Sequence, residues 1–292
     1  MSGFLPVARA TALETMSEPL SLLLLLGALV VTPLTSAFHF HQFGDPTRMA
    51  RDAGLSSLLV FGILFAVTGA VRTVRRELET RTASVALAHP VSRTVFFLGK
   101  LAGVALAWVG FAAASACVTL TVVTGAAFGG AIAARTGEVA RMWGPSLAAA
   151  IAPSVLSLVG AAVLNRFARF RFTLTATMLA LALAVLSPLV GFDSGWTVRL
   201  MPVLLLAALP GLVFLCAAGA AAVRFRTNAA GALLGVLAAA ALPAFANYAR
   251  SGVLADGGAL DAGYFALAFG AALAAAAGFG VLGVAAFRGV EV

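Results

Sequence analysis

The sequence predicts a polytopic α-helical membrane protein, and its composition and the length of its apolar runs both support that fold class. Of the 292 residues, 62% are hydrophobic and only 10% are charged. The mean hydropathy is +1.05, well above that of soluble domains, which are nearer half apolar. Apolar runs of roughly eighteen or more residues recur along the chain, each long enough to cross the hydrocarbon layer as a helix. These Ala- and Leu-rich runs lack the alternation of barrel strands, so helices are the predicted spanning elements.

Hydropathy divides the chain into about eight transmembrane helices within a single domain over residues 1–292. The predicted spans are 20–38, 54–71, 101–127, 147–164, 172–190, 201–223, 229–247 and 264–287. Pro202, Pro210 and Pro243 interrupt the stretch 201–247, so its two segments are alternatively a re-entrant hairpin, which leaves six full spans. Both arrangements have the same parity and place the two termini on one side.

The distribution of basic residues predicts that both termini are cytoplasmic. With the N-terminus inside, thirteen of the nineteen basic residues face the cytoplasm and six face outward, as the positive-inside bias requires. The formal net charge of +8 comes from arginines in short loops beside apolar segments, where they meet anionic lipid. We therefore expect membrane lipids, and no nucleic acid, among the partners.

An N-terminal helix over residues 4–18 is predicted to lie in the cytoplasmic interface of the membrane. Its apolar positions recur at helical spacing, namely Leu5, Ala8, Ala12 and Met16. Its polar positions are Arg9, Glu14 and Glu18. Such a pattern is typical of a helix that lies along the membrane surface, and Pro19 is expected to end it.

The predicted spans contain essentially no ionisable side chains, which argues against an ion-coupled carrier. Proton- or sodium-driven carriers use charged groups inside the membrane to hold the coupling ion. The polar groups within the predicted spans are mostly hydroxyls, among them Thr32, Ser57, Thr68, Ser115, Thr119, Ser154, Ser157 and Thr177. We expect these hydroxyls to bond to backbone carbonyls of their own helix or to join neighbouring helices. Energy for any transport is therefore expected to come from outside the bilayer.

The chain carries no phosphate-binding loop, so we do not expect it to be an enzyme that hydrolyses ATP alone. Gly99-Lys100 is followed by Leu101, where the loop requires Ser or Thr. His39 and His41 are expected in a solvated loop rather than in a metal site, and no cofactor is predicted. The glycine pairs Gly99/Gly103 and Gly231/Gly235 have the spacing of close helix packing.

The charged segment 72–100 lies between two long apolar runs and is predicted to be a cytoplasmic working surface. Its basic residues are Arg72, Arg75, Arg76, Arg81, Arg93 and Lys100. An ordinary positively charged loop would explain these, but it would not explain the acidic pair Glu77 and Glu79 or the length of the segment. A short helix from Arg75 to Leu87, broken at His89-Pro90, would make a rigid protrusion that a partner can grip.

This segment carries a signature that resembles the permease subunits of ABC-2-type transporters. The signature reads Glu77-x-Glu79-x-x-Thr82, seven residues, Pro90-x-Ser92-Arg93, five residues, then Gly99-Lys100. It follows the second predicted span, as in that family, and stretches 4–20 and 52–67 are also similar to it. The family usually has six spans, whereas eight are expected here.

The resemblance implies partners and site residues. It implies a second permease subunit, and cytoplasmic ATPase subunits that hold ATP and Mg, in the bacterial cytoplasmic (inner) membrane. The residues expected to couple to the ATPase are Glu77, Glu79, Thr82, Pro90, Arg93, Gly99 and Lys100. A second, smaller contact is expected at Arg166, Arg169 and Arg171.

The function expected from these observations is export of an apolar or amphipathic substrate, driven by a separate ATPase. An uncharged span interior favours such a cargo. The leading alternative is a membrane anchor or mechanical element, without transport, in an ATPase-driven envelope or motility complex.

Overall fold

The fold is all-helical over the residues that the structure describes. The structure is a computed structural model, and it describes residues 3–37, 46–80, 92–136, 144–190, 194–224 and 262–288. The helices in these ranges are α1 (Phe4–Ser17), α2 (Pro19–Ala37), α3 (Pro46–Thr80), α4 (Arg93–Thr136), α5 (Gly144–Ala168), α6 (Phe172–Leu186), α7 (Ser194–Arg224) and α8 (Ala262–Arg288), with a 3-10 turn at Ser187–Val190. No strand occurs within them, so the predicted all-helical class is confirmed.

Six of the described helices are long and apolar enough to cross a membrane, which confirms a multi-pass membrane protein. The candidate spans are Thr47–Arg76, Arg93–Ala127, Ala150–Ala168, Phe172–Leu189, Thr197–Val223 and Ala266–Phe287. Each overlaps a predicted span. A seventh is reached if Phe4–Ser17 and Pro19–Leu34, which meet at a bend of 68°, count as one broken span.

The predicted span 229–247 lies outside the described residues. Its neighbour 201–223 falls within the single helix α7. Whether the two form a re-entrant hairpin stays a prediction, as does the cytoplasmic position of both termini.

Helices α3 and α4 are longer than hydropathy predicts, because each extends through polar residues, α3 at its C-terminal end and α4 at its N-terminal end. Helix α3 runs through Thr80, so the helix expected to start at Arg75 is instead its continuation. Arg and Glu are good helix formers, and no breaker interrupts residues 72–80. The rest of that expected helix, residues 81–87, lies outside the described residues.

Helix α4 begins at Arg93, eight residues before the predicted span. The Ser92 hydroxyl accepts a hydrogen bond from the backbone N–H of Val95 at 3.3 Å, which caps the new helix. Residues 93–100 of the charged segment therefore form the first two turns of α4.

The described residues divide into two compact units. Unit 1 comprises Met1–Met16, Gly62–Val109 and Leu206–Val292, and unit 2 comprises Ser17–Phe61 and Gly110–Leu205. In unit 1, the indole N–H of Trp108 donates to the carbonyl of Gly62 at 3.1 Å and joins α4 to α3. In unit 2, Leu22 of α2 packs with Ala161 of α5 and Ala176 of α6. The single domain expected over residues 1–292 stays a prediction.

Six of the eight hydroxyls predicted within the spans bond to backbone carbonyls, whereas the buried hydroxyls of Ser115 and Ser154 have no hydrogen-bond partner in the described part of the chain. Thr32 donates to the carbonyl of Ala28 at 3.0 Å, and Thr119 donates to that of Ser115 at 2.8 Å. Ser57 of α3 instead reaches across to the carbonyl of Ala28 in α2, at 3.2 Å. These bonds satisfy the hydroxyls where no water is available, and one of them also joins two helices.

Two glycine-to-alanine substitutions are expected to have opposite effects on stability. A Cβ at Gly54 would overlap the Thr119 side chain, so we expect Gly54→Ala to lower the free energy of unfolding by about 1–3 kcal/mol. A Cβ at Gly278 would meet nothing within 4 Å. Gly278→Ala should therefore raise the stability by about 0.5–1 kcal/mol through helix propensity. Thermal unfolding of the purified chain in detergent measures both, and equal shifts would contradict this packing.

Candidate functional site

Two glycines one turn apart on α4 form a seat for the N-terminal helix within unit 1. A Cβ at Gly99 would lie 3.0 Å from Val7 and 3.4 Å from the carbonyl oxygen of Phe4. A Cβ at Gly103 would lie 2.5 Å from the carbonyl oxygen of Ala8. Because glycine has no side chain, the backbone of α1 can approach α4 closely at these two positions. Small residues serve this purpose at many contacts between helices.

One side of α1 is buried against this seat and the other is exposed. The buried residues are Ala8, Thr11, Ala12, Thr15 and Met16. Ala8, Ala12 and Met16 of the predicted apolar stripe are thus buried against protein, whereas Leu5 of the same stripe is 74% exposed on the protein surface. The position of this stripe at the membrane interface stays a prediction.

Glu14 of α1 binds two basic residues that lie near opposite ends of the charged segment 72–100. One carboxylate oxygen accepts from the Arg76 guanidinium near the end of α3, at 2.6 Å. The other oxygen lies 3.7 Å from the Lys100 ammonium in α4. We call Glu14, Arg76 and Lys100 the Glu14 clasp. Sequence reasoning placed Glu14 only on the polar side of α1, because helical spacing gives no partner for a residue far away in the sequence.

The two basic members of the clasp differ in their surroundings. The Arg76 side chain is 64% exposed, so its ion pair is screened by water and contributes about 0.2–1 kcal/mol to stability. The Lys100 side chain is only 12% exposed. Its ammonium lies 5.7 Å above the ring of Phe96, within range of a cation–π attraction. Lys100 is therefore held by both a carboxylate and an aromatic ring.

The C-terminal end of α8 packs on the same part of α4. The ring of Phe287 stacks on those of Phe96 and Phe97, with centroid distances of 6.4 and 5.3 Å. A Cβ at Gly283 would lie 2.8 Å from Phe97, so α8 too approaches closely at a glycine. The first turns of α4 thus connect α1 on one side with the end of α8 on another.

Only some of the predicted coupling residues make contacts that the structure describes. Arg93 is exposed at the first turn of α4. Glu77 and Glu79 belong to the last turn of α3, and nothing is described of their side chains. Thr82 and Pro90 lie outside the described residues. Of the predicted set, Gly99 and Lys100 are the residues that the structure brings together, and both contact α1.

Three arginines surround the short connection between α5 and α6 in unit 2. Arg166 lies in the last turn of α5 and is exposed. Arg169 has φ 53°, a left-handed conformation that few residues other than glycine adopt, and it allows the chain to reverse. The carbonyl of Arg171 accepts the N–H and the hydroxyl of Thr175, at 3.0 and 2.9 Å, which starts α6.

An apolar groove of about 780 Å³ lies within unit 1 between α1, α4, α7 and α8. Its walls include Leu101 of α4, Leu215 of α7 and Ala277 of α8. Thr94 supplies the only hydroxyl, and Cys216 the only thiol, among its lining residues. The volume is within the range of small-molecule sites, about 300–1,000 Å³, and such a lining suits a hydrocarbon surface.

No group of three or more His, Cys, Asp or Glu side chains among the described residues could hold a metal ion. His39, His41 and His89 lie outside the described residues. The clasp contains one carboxylate and two cations, all held by partners, and its arrangement suits mechanical connection between helices.

Comparisons of the chain with family models, with curated proteins and with solved structures found no match. We therefore infer the function of the protein from the residues of the chain and their geometry.

A valine in the α4 seat should displace the N-terminal helix. Its Cβ would meet the Ala8 carbonyl and the Thr11 side chain of α1, so we expect Gly103→Val to raise amide hydrogen exchange in residues 4–17 several-fold. Gly278→Val is the matched control, since the space at Gly278 is open. Unchanged protection of residues 4–17 in Gly103→Val would contradict the proposed seat.

Proposed function

We propose that this chain is the permease subunit of an ABC-2-type transporter in the bacterial cytoplasmic membrane. It exports an apolar or amphipathic substrate with energy from separate cytoplasmic ATPase subunits. The observation that carries the proposal is the setting of the signature: Glu77 and Glu79 end α3, Gly99 and Lys100 begin α4, and α1 binds both helices. The acidic pair therefore lies in the last turn of α3, a helix that Glu14 joins to the first turns of α4.

The location of charge supports an external source of energy. The spanning segments identified above contain at most two charged residues in their most apolar 18-residue windows. The chain also lacks a phosphate-binding loop. A soluble ATPase that closes on ATP would supply the motion, and Glu77 and Glu79 would pair with basic groups on it.

The apolar groove supports the substrate class. Its lining of Leu, Ala, Val and Phe side chains suits a molecule with a large hydrocarbon surface, because burial of apolar area drives binding there. Two permease subunits, identical or related, would enclose the path that such a molecule follows.

The turn with Arg166, Arg169 and Arg171 is the proposed second contact with the ATPase. The three side chains are exposed at adjacent helix ends, where acidic groups of a partner can reach them.

Reversing both charges of the acidic pair should release the ATPase. We expect Glu77→Lys with Glu79→Lys to abolish co-purification of the ATPase subunit and to lower stimulated ATP turnover at least tenfold, since like charges would then face each other. Membrane insertion should be unchanged. Glu291→Lys, the same change near the C-terminus, is the matched control.

Two results would contradict the coupling assignment or the transport function. Unaltered pull-down and turnover in the double variant would remove the coupling assignment. ATP turnover in liposomes that no cargo stimulates would favour the mechanical element over the exporter.

Filling the groove should stop transport without releasing the ATPase. In the Cys117→Ser chain, alkylation of Cys216 with N-phenylmaleimide places a ring in the groove, and we expect cargo-stimulated ATP turnover to fall several-fold. The Cys117→Ser/Cys216→Ser chain should be insensitive to the reagent. Full alkylation of Cys216 with normal turnover would exclude the groove as the substrate path.

A further inference from the structure

The geometry points to a role for Glu14 that the signature does not assign. We propose that Glu14 is a positioning residue: through Arg76 and Lys100 it holds the two helix ends that border the segment 81–91 at a fixed spacing. The inference rests on the proposed function, because the spacing matters only if a partner pushes on this segment.

The two oxygens of one carboxylate engage the two helices separately. Arg76 lies five residues before the segment, and Lys100 lies eight residues after Ser92. Both basic residues belong to continuous helices, α3 and α4, so each moves with its own helix end. A displacement of either end changes the distance from its basic group to Glu14, at present 2.6 Å and 3.7 Å.

Glu14 contributes to the positions of the neighbouring helix ends rather than to the stability with which α1 is held. The buried side of α1, with Ala8, Thr11 and Ala12, already anchors the helix on Gly99 and Gly103 of α4. The exposed pair with Arg76 contributes little to the stability of the fold. What the carboxylate determines is the position of the α3 end relative to α1 and α4. Arg76 directly precedes Glu77, so the clasp sets where the proposed docking pair begins.

This arrangement makes α1 the mechanical connection between the segment and the membrane surface. A push on the segment reaches Arg76 and Lys100, and both residues transmit it to the same residue of α1. Without the carboxylate charge, the ATPase would still dock, but the two helix ends would move independently.

The test compares Glu14→Gln with Glu291→Gln, the same substitution near the C-terminus. Amide hydrogen exchange in residues 72–80 and 92–100 measures whether the helix ends are held. Affinity for the ATPase subunit and the maximal stimulated ATP turnover of the complex measure what the clasp does for coupling. The single variant Arg76→Gln and the double variant Glu14→Gln/Arg76→Gln complete a double-mutant cycle with Glu14→Gln.

We expect Glu14→Gln to raise exchange at both helix ends and to lower maximal turnover several-fold, with affinity for the ATPase unchanged. Glu291→Gln should do neither, and the double variant should be no worse than Glu14→Gln. Raised exchange with normal turnover would make Glu14 a structural residue only and would overturn the proposal, as would unchanged exchange. If the wild-type chain recruits no ATPase, the proposed function fails, while the exchange result still decides whether Glu14 holds the helix ends.

Discussion

The close approach of α1 to α4 at Gly99 and Gly103 is the constraint on which the contacts around the start of α4 depend. A side chain at either glycine would hold the two backbones apart. Because the two backbones touch, Glu14 lies within reach of Arg76 and Lys100. The same contact places α1 along one wall of the groove that Leu101 also lines. Two missing side chains thus position an ion-pair cluster and an apolar surface together.

Hydropathy predicts the membrane-spanning part of this chain well, because a helix within hydrocarbon requires a continuous run of apolar residues. It does not predict the lengths of α3 and α4, whose polar ends continue as helix outside the apolar runs. It also groups Leu5 with Ala8, Ala12 and Met16 in one apolar stripe of α1, and only the last three are buried against protein. Spacing within a helix reveals faces, but the local packing decides which side chain fits a face.

The site is only partly predictable for a related reason. The glycine pair at 99 and 103 has a recognisable spacing, yet in a chain so rich in Gly and Ala that spacing alone does not identify a partner helix. The pairing of Glu14 with Arg76 joins residues 62 positions apart. Only the packing of α1 against α3 and α4 brings them together, so a hydrophobicity pattern contains no trace of it.

Helix α8 contacts α4 near its C-terminal end, through Phe287 and Gly283, while only 6% of its most apolar window is buried. In water such an exposed helix would aggregate; in a bilayer its surface is solvated by acyl chains at little cost. Most of the apolar surface of α8 is therefore open to acyl chains, while an aromatic stack joins its C-terminal end to the first turns of α4.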